Sequence, residues 1–284
     1  MAVSIILPAH NEAPSLGPLL RSIRDVLADA EIIVVNDGSD DETADVAEAA
    51  GARVINHPYG LGNGAAIKAG ARVAAGDVLV FLDADGQHDP TDIPRLLALL
   101  EDGYDMVVGA RGVCSQASRP RLMANALYNW FASLITGHRI ADLTSGLRAV
   151  HAERFRRFLY LLPNGFSYPA TITMAFFRSG YPVAYVPIKA GSRSGRSHIR
   201  PLTDGIRFLL ILFKIATLYS PLKIFFPVSA GFFFLGWGYY LYTYLSFGRL
   251  SNMTAMLLSA SVLVFMMGLV SEQITALYYR DSDG

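Results

Sequence analysis

Two uncharged stretches near the C-terminus constrain this chain more than any other feature. Ile224–Phe247 and Leu250–Ser271 contain no Asp, Glu, Lys or Arg. At about 24 and 22 residues, each can cross a hydrocarbon core that needs roughly 20 as a helix. Only a tight connector around Gly248 and Arg249 separates them, so they read as a transmembrane hairpin. Soluble cores seldom hold adjacent helices that are apolar on every face. Tyr239, Tyr240, Tyr242 and Tyr244 supply an aromatic belt at one end. Arg193, Arg196, Arg200, Arg207, Lys214 and Lys223 precede the hairpin and only Arg249 sits in its connector. The positive-inside tendency then predicts that both chain ends are cytoplasmic. Immediately upstream, Asp204, Arg207, Lys214 and Thr217 recur near helical spacing in an otherwise apolar run. This predicts an amphipathic interfacial helix over 201–221, with the transmembrane region at 222–284.

Composition adds little beyond this. The 24 basic residues balance 24 acidic ones, which gives no sign of a nucleic-acid partner. Cys114 is the only cysteine, so an internal disulfide and a cysteine-based zinc site are excluded. The opening MAVSIILPAHNE lacks a basic n-region and reaches Pro8 and Glu12 after a few apolar residues, unlike a signal peptide.

Residues 1–200 read as one α/β domain. VSIILP, EIIVVND, ARVIN, DVLVFLD and YDMVVGA are short, β-rich and almost continuously apolar, and helix-like stretches such as SLGPLLRSIRDVLADA lie between them. That alternation predicts a mainly parallel sheet with helices on both faces. Ligands collect at the carboxyl ends of such strands, where the polar clusters PAHNE, NDGSDDET and DADGQHDP fall.

DADGQHDP carries the strongest chemical signal. Asp83 and Asp85 flank Ala84, so on an extended chain their carboxylates face one side, and Gln87 repeats the spacing. Two carboxylates and an amide oxygen form a hard-oxygen partial shell for Mg²⁺ or Mn²⁺ with positions open for water and phosphate. Asp89 and Asp92 read as helix-start acids. Asp37 can offer acceptors to the donor edge of a base, although NDGS is also an ordinary turn. Glu12 is equally open. GLGNGAAIKAG fits G-x-G-x-x-A at Gly60, Gly62 and Ala65, but it follows the third strand where a dinucleotide fingerprint belongs after the first. Lys68 on the next helix is free to meet phosphate or solvent. A strand ending in D-x-D-G also imitates an aspartyl-phosphate hydrolase, yet paired downstream acids are missing before the C-terminal tail.

Taken in order, SIILPAHNE, IIVVNDGSDDET, GNGAAIKAG, VFLDADGQHDP and DLTSGLRA resemble family 2 glycosyltransferases of GT-A fold. The hairpin and GSRSGRSHIRP make the chain similar to the polyprenyl-phosphate group that includes dolichol-phosphate mannose synthase. The resemblance implies an inverting transfer of sugar from a nucleoside-diphosphate donor to polyprenyl phosphate, with UDP-sugar favoured over GDP-sugar. It implies that Pro8, His10, Glu12 and Asp37 line the nucleotide site beside Asp83 and Ala84, and that Asp83, Asp85 and Gln87 hold the metal. Arg111, Arg121 and Arg193 hold phosphate oxygens, with Arg121 preferred to Arg119. Asp85, Arg111 and Asp142 are the catalytic candidates, Asp142 either orienting the acceptor or capping a turn. His10 stands where a tyrosine is common, and His198 where a lysine is expected in the phosphate-binding segment. The same resemblance leaves room for another lipid or a growing polysaccharide as acceptor, and for a non-catalytic sugar-nucleotide-binding membrane protein. The chain has no Q-x-x-R-W motif for processive synthesis. Gly231, Gly236, Gly238 and Ser259 are small enough for helix contacts in a homo-oligomer.

Overall fold

In the computed structural model, residues 1–112, 119–165, 167–189, 191, 210, 213, 217 and 219–280 are described; the side chains of 119–124, 278 and 280 are not. The chain forms two units, Met1–Asp204 and Gly205–Gly284.

The first unit holds a seven-stranded sheet in the order β3-β2-β1-β4-β6-β5-β7. Its strands are β1 (Val3–Ala9), β2 (Glu31–Asn36), β3 (Arg53–Asn56), β4 (Val78–Phe81), β5 (Met106–Arg111), β6 (Arg148–His151) and β7 (Val183–Ile188). β1, β2, β3 and β4 pair in parallel, as do β5 and β7. β6 runs antiparallel between β4 and β5, with Phe81 opposite Arg148. The mainly parallel sheet agrees with the continuous apolar runs. Ile5, Ile6 and Leu7 are all fully buried, as they must be when helices cover both faces.

β6 and β7 carry little sequence signal. RAVH is only four residues long with polar ends, and VAYVPI contains Pro187, a residue that strands accept mainly at edges. β7 is indeed the edge strand.

The helices are α1 (Ala13–Val26), α2 (Thr43–Ala49), α3 (Asn63–Val73), α4 (Ile93–Glu101), α5 (Arg119–Thr136), α6 (Ala152–Arg157) and α7 (Tyr168–Arg178). Asp89 accepts from the Thr91 amide at 2.9 Å and starts the 3₁₀ turn Pro90–Asp92 ahead of α4, the helix-start role its sequence predicts. α1 places Leu16, Leu19, Leu20 and Ile23 against the sheet, an apolar face at helical spacing.

The second unit contains α8 (Leu222–Phe247) and α9 (Asn252–Arg280). Both are long and apolar enough to span a bilayer, and only 11% and 17% of their most hydropathic windows is buried. That exposure does not suit core helices of a soluble protein. α9 continues past the Ser271 end of the apolar run to Arg280. The helices meet through small residues: Ser229 Oγ donates to the Ser261 carbonyl at 2.9 Å, and Ser261 Oγ returns a bond to Ser229 at 3.0 Å. Gly236 packs against Leu257 and Leu258 of the same hairpin, so its close approach is used within the chain. Glu272 accepts from Ser220 Oγ and the Leu222 amide, at 3.3 and 3.2 Å, fastening the start of α8. Most of the interfacial segment expected at 201–221 lies outside the described residues; Leu210, Phe213, Thr217 and Tyr219 within it are helical.

Candidate active site

A cavity of about 460 Å³ opens at the carboxyl ends of β1, β2 and β4. Pro8, His10, Glu12, Asp37, Asp83, Ala84 and Asp85 all contribute to its wall, so residues far apart in sequence meet there. Side chains staple the three loops together. Ser15 Oγ donates to Glu12 Oε2 and to the Ala84 carbonyl, at 2.9 Å each, joining the β1 loop to the acidic turn. Asn11 holds the β2 loop: its amide donates to Ser39 Oγ at 3.0 Å and its Oδ1 accepts from the Asp40 amide at 2.9 Å.

Asp37 is almost fully buried. Its Oδ1 accepts from His57 Nδ1 at 2.7 Å and the Leu61 amide at 2.8 Å, while Oδ2 accepts from the Gly62 amide at 2.8 Å. Burial opposes its charge, but these donors outweigh burial and hold the carboxyl below its usual range. Oδ1 is thereby filled, and Oδ2 keeps a lone pair for a donor. His10 Nδ1 donates to the Asp37 carbonyl at 2.9 Å. His57 was invisible in the sequence because its role depends on β3 lying beside β2, where the His57 amide also donates to the Asn36 carbonyl at 2.9 Å.

The acidic turn follows β4 directly. Burial pushes the Asp83 carboxyl up, and the negative Asp85 adds to that rise against His88, Asn63 and Arg111. Two acids at one strand tip, with burial working against the charge of Asp83, are suited to a divalent cation, whose charge favours the ionised form. Asn63, bonded to Asp83, also keeps a buried Oδ1 without a hydrogen-bond partner, a further hard-oxygen donor at the cavity wall. Among the described residues, no group of three His, Cys, Asp or Glu side chains forms a closed metal site. The two acids are a partial shell, as donors that share a metal with phosphate and water must be. Gln87 bonds to Asp85 through both its backbone amide, at 3.1 Å to Oδ1, and its side-chain amide, at 2.6 Å to Oδ2. It therefore fixes the orientation of Asp85. His88 is buried, with an unpartnered Nδ1; burial lowers its basicity despite the nearby acids.

Arg111 and Asp142 stand beside this cavity. Arg111 Nε donates to Asp142 Oδ2 at 2.8 Å, and an Arg111 terminal nitrogen donates to Asp142 Oδ1 at 3.1 Å. Arg111 also donates to Thr144 Oγ1 at 2.7 Å, and Thr144 lines the cavity. Burial opposes the Asp142 charge, but the Arg111 bonds and the Thr144 amide lower its carboxyl below the usual range. Arg121 has no described side chain, and Arg193 and His198 lie outside the described residues.

The glycine-rich stretch makes a close backbone approach to residues 163–165. A Cβ on Gly64 would lie under 3.0 Å from the Pro163 carbonyl oxygen, and the Ala65 amide donates to the Asn164 carbonyl at 3.1 Å. The glycines let residues 163–165 lie against the start of α3. Lys68, partly exposed, is held by protein partners: its Nζ donates to the Leu162 carbonyl at 3.0 Å and Asn164 Oδ1 at 2.5 Å. Tyr168 and Pro169, at the start of α7, complete the cavity wall. Their sequence offers only an apolar helix start. Behind them the fully buried Arg148 donates to the Pro169 carbonyl and Thr173 Oγ1, both at 3.0 Å.

A sheet of this order carries an acidic pair at the tip of an inner strand, and comparison with known proteins gives the class. The glycosyl transferase family 2 profile matches residues 4–160, and the GtrB C-terminal hairpin profile matches 220–277. The chain belongs to glycosyl transferase family 2 and has the GT-A fold. A dolichyl-phosphate hexose transferase of Haloferax volcanii is 31% identical over 206 residues, 72% of this chain and 89% of its own. An undecaprenyl-phosphate 4-deoxy-4-formamido-L-arabinose transferase of Pseudomonas fluorescens is 40% identical over 159 residues, 52% of this chain. The chain spans 46% of that relative's length. Glucosyl-3-phosphoglycerate synthase of Mycobacterium tuberculosis, in complex with Mn²⁺ and UDP-glucose, is 26% identical with a TM-score of 0.56, covering 76% of this chain and 79% of its own. With its two apolar helices and the hairpin match, this is a membrane protein.

Proposed function

We propose that this chain transfers a sugar, with inversion, from a nucleoside-diphosphate donor to polyprenyl phosphate at the cytoplasmic membrane face. The observation that carries this reading is the Asp83–Asp85 pair at the wall of a cavity of about 460 Å³ on a chain that carries a GtrB-type hairpin. Relatives named as dolichyl- and undecaprenyl-phosphate transferases support the acceptor, and the synthase complex with UDP-glucose supports UDP over GDP.

Asp37 receives the base through its remaining acceptor, with Pro8 and His10 at the same wall. Asp83 and Asp85 hold Mg²⁺ or Mn²⁺, with Gln87 orienting Asp85. That ion supplies positive charge to the departing diphosphate when bound. A lipid phosphate, whose second pKa is near 6, is already mostly dianionic at neutral pH. Its oxygen forms the new bond to the anomeric carbon as the bond to the diphosphate breaks, and the nucleoside diphosphate leaves with the electron pair. No proton has to be removed from the nucleophile. Asp142, committed to Arg111, therefore orients rather than acts as a base, and Arg111 holds phosphate charge. The family resemblance assigns phosphate binding to Arg121, Arg193 and His198 as well.

Purified full-length protein with Mg²⁺ or Mn²⁺ should release nucleoside diphosphate from one of a panel of UDP- and GDP-sugars only when undecaprenyl phosphate is added. Release that does not depend on the acceptor would overturn the acceptor assignment. Binding of donors without release under any condition would mark a sugar-nucleotide-binding membrane protein instead.

A further inference from the structure

Arg148 opens β6, the strand that lies between the two whose tips enter the site. Its partners across the sheet are Phe81 of β4, just before Asp83, and Val108 of β5, just before Arg111. The residue is 0% exposed, and its guanidinium bonds neutral acceptors. Nε donates to the Ser145 carbonyl at 3.0 Å, and one terminal nitrogen to the Leu143 carbonyl at 3.4 Å. The other terminal nitrogen donates to the Pro169 carbonyl and to Thr173 Oγ1, both at 3.0 Å. Among the described residues, no carboxylate stands within ion-pair distance of it.

A buried cation of this kind is a costly way to fill a core. Burial works against its charge, and Asp142 and Asp83 support that charge only from beyond bonding distance. An apolar side chain of similar volume often serves stability as well or better. What the guanidinium does, and an apolar group cannot, is join two pieces of the cavity wall. Leu143 and Ser145 flank Thr144, which accepts from Arg111 at 2.7 Å. Gly146, on the same loop, lies against the Asp83 carboxylate. Tyr168 and Pro169 are the wall at the start of α7. A planar fork bonded on both sides fixes these two pieces relative to each other. We propose that Arg148 is a positioning residue for the sugar transfer: it locks the 143–146 loop to the first turn of α7 and thereby holds Arg111 and Asp83 in register. The proposal rests on the transferase reading. The fork bonds none of Pro8, His10 and Asp37, so nucleotide binding is separable from alignment of the reacting groups.

The test compares full-length Arg148→Met, Arg148→Lys and Thr173→Val with the unsubstituted protein, at a temperature where circular dichroism shows each one folded. Arg148→Met should lower kcat for transfer to undecaprenyl phosphate about 30- to 100-fold, the scale of a misplacement of roughly 1 Å, and change Kd for UDP less than about twofold. Arg148→Lys keeps the charge and three donors, and should regain about tenfold of that loss. Thr173→Val removes one acceptor of the fork and should cost about three- to tenfold in kcat at the same UDP affinity. Unchanged kcat in Arg148→Met and Thr173→Val would leave the fork to stability alone and overturn the proposal. A loss of UDP affinity as large as the loss of turnover would mean general collapse of the cavity and overturn it too. Amide exchange supplies an arm that needs no turnover. Arg148→Met should speed exchange at 142–146 and 168–171 at least about tenfold, Thr173→Val about threefold, and neither should alter 61–62. Rates that rise equally throughout the catalytic unit, or nowhere, would remove the tie between the two walls. If no donor and acceptor give product with the unsubstituted protein, the transferase reading fails, and the exchange rates alone decide whether Arg148 joins those walls.

Discussion

Asp142 accepts two parallel bonds from Arg111, at 2.8 Å from Nε and 3.1 Å from a terminal nitrogen, with its own side chain only 3% exposed. The Arg111 and Thr144 amides add bonds at 3.2 and 3.0 Å. A carboxylate so committed is a poor proton acceptor, because its charge is already stabilised where it stands. It is a good orienting group, because a planar guanidinium held at two points cannot rotate.

Asp142→Asn should therefore lower turnover by about 10- to 100-fold, the scale of one lost charge-assisted bond, without altering the acid limb of the pH–rate profile. A larger collapse in which that limb vanishes would make Asp142 the base. Arg111→Met should be worse in a different way. It leaves the buried Asp142 charge unpaired, a change that costs about 3–5 kcal/mol for buried pairs, and thermal unfolding should show it.

Asp85→Asn removes one of the two negative charges at the β4 tip and disturbs the partner of both Gln87 bonds. Metal-dependent nucleoside diphosphate release should fall by at least about a hundredfold, while the far-ultraviolet spectrum and membrane insertion remain as before. Titration of Mn²⁺ followed by electron paramagnetic resonance should show weaker binding. Near-normal activity with unchanged Mn²⁺ affinity would remove the metal assignment.

Asp37 links the site to acid stability. Its folded carboxyl is lowered by His57 and two backbone amides in spite of burial. Between that lowered value and an unfolded value of about 3.9 the unfolded chain binds more protons, so stability rises with pH there. The contribution is complete above the unfolded pKa and is lost as pH falls through the folded one. Asp37→Asn should flatten the acid-side slope of the thermal midpoint measured between about pH 5 and 2, and should also weaken donor binding.

The sheet and the acidic turn were legible because each rests on a local pattern. VLVF has four consecutive buried residues before Asp83, and EIIVVN repeats this before Asp37. Residues whose purpose depends on long-range contact were not legible. His57 and Tyr168 carry no motif, and Asn63 sits unmarked within GNGAAIKAG; His57 acquires its place beside Asp37 at the end of β2, and Asn63 beside Asp83 at the end of β4. Lys68 was ambiguous for the same reason, since its partners Leu162 and Asn164 lie about a hundred positions away in sequence.

Gly64 and Gly146 separate stability from function by what a methyl group would strike. In a helix, Gly→Ala ordinarily gains up to about 1 kcal/mol of propensity, so Gly64, at the start of α3, looks like a site for improvement. Its added Cβ would instead lie under 3.0 Å from the Pro163 carbonyl, a backbone atom unable to rotate away. Gly64→Ala should thus destabilise the protein by about 1–3 kcal/mol, read as a lower thermal midpoint. At Gly146 the atoms under 3.0 Å belong to the Asp83 carboxylate, a side chain that can turn aside. Gly146→Ala should leave the midpoint nearly unchanged but displace Asp83, with Mn²⁺ affinity and turnover falling together. If Gly146→Ala keeps full Mn²⁺ affinity and turnover, Asp83 is not held in its working position by the space that this glycine leaves open.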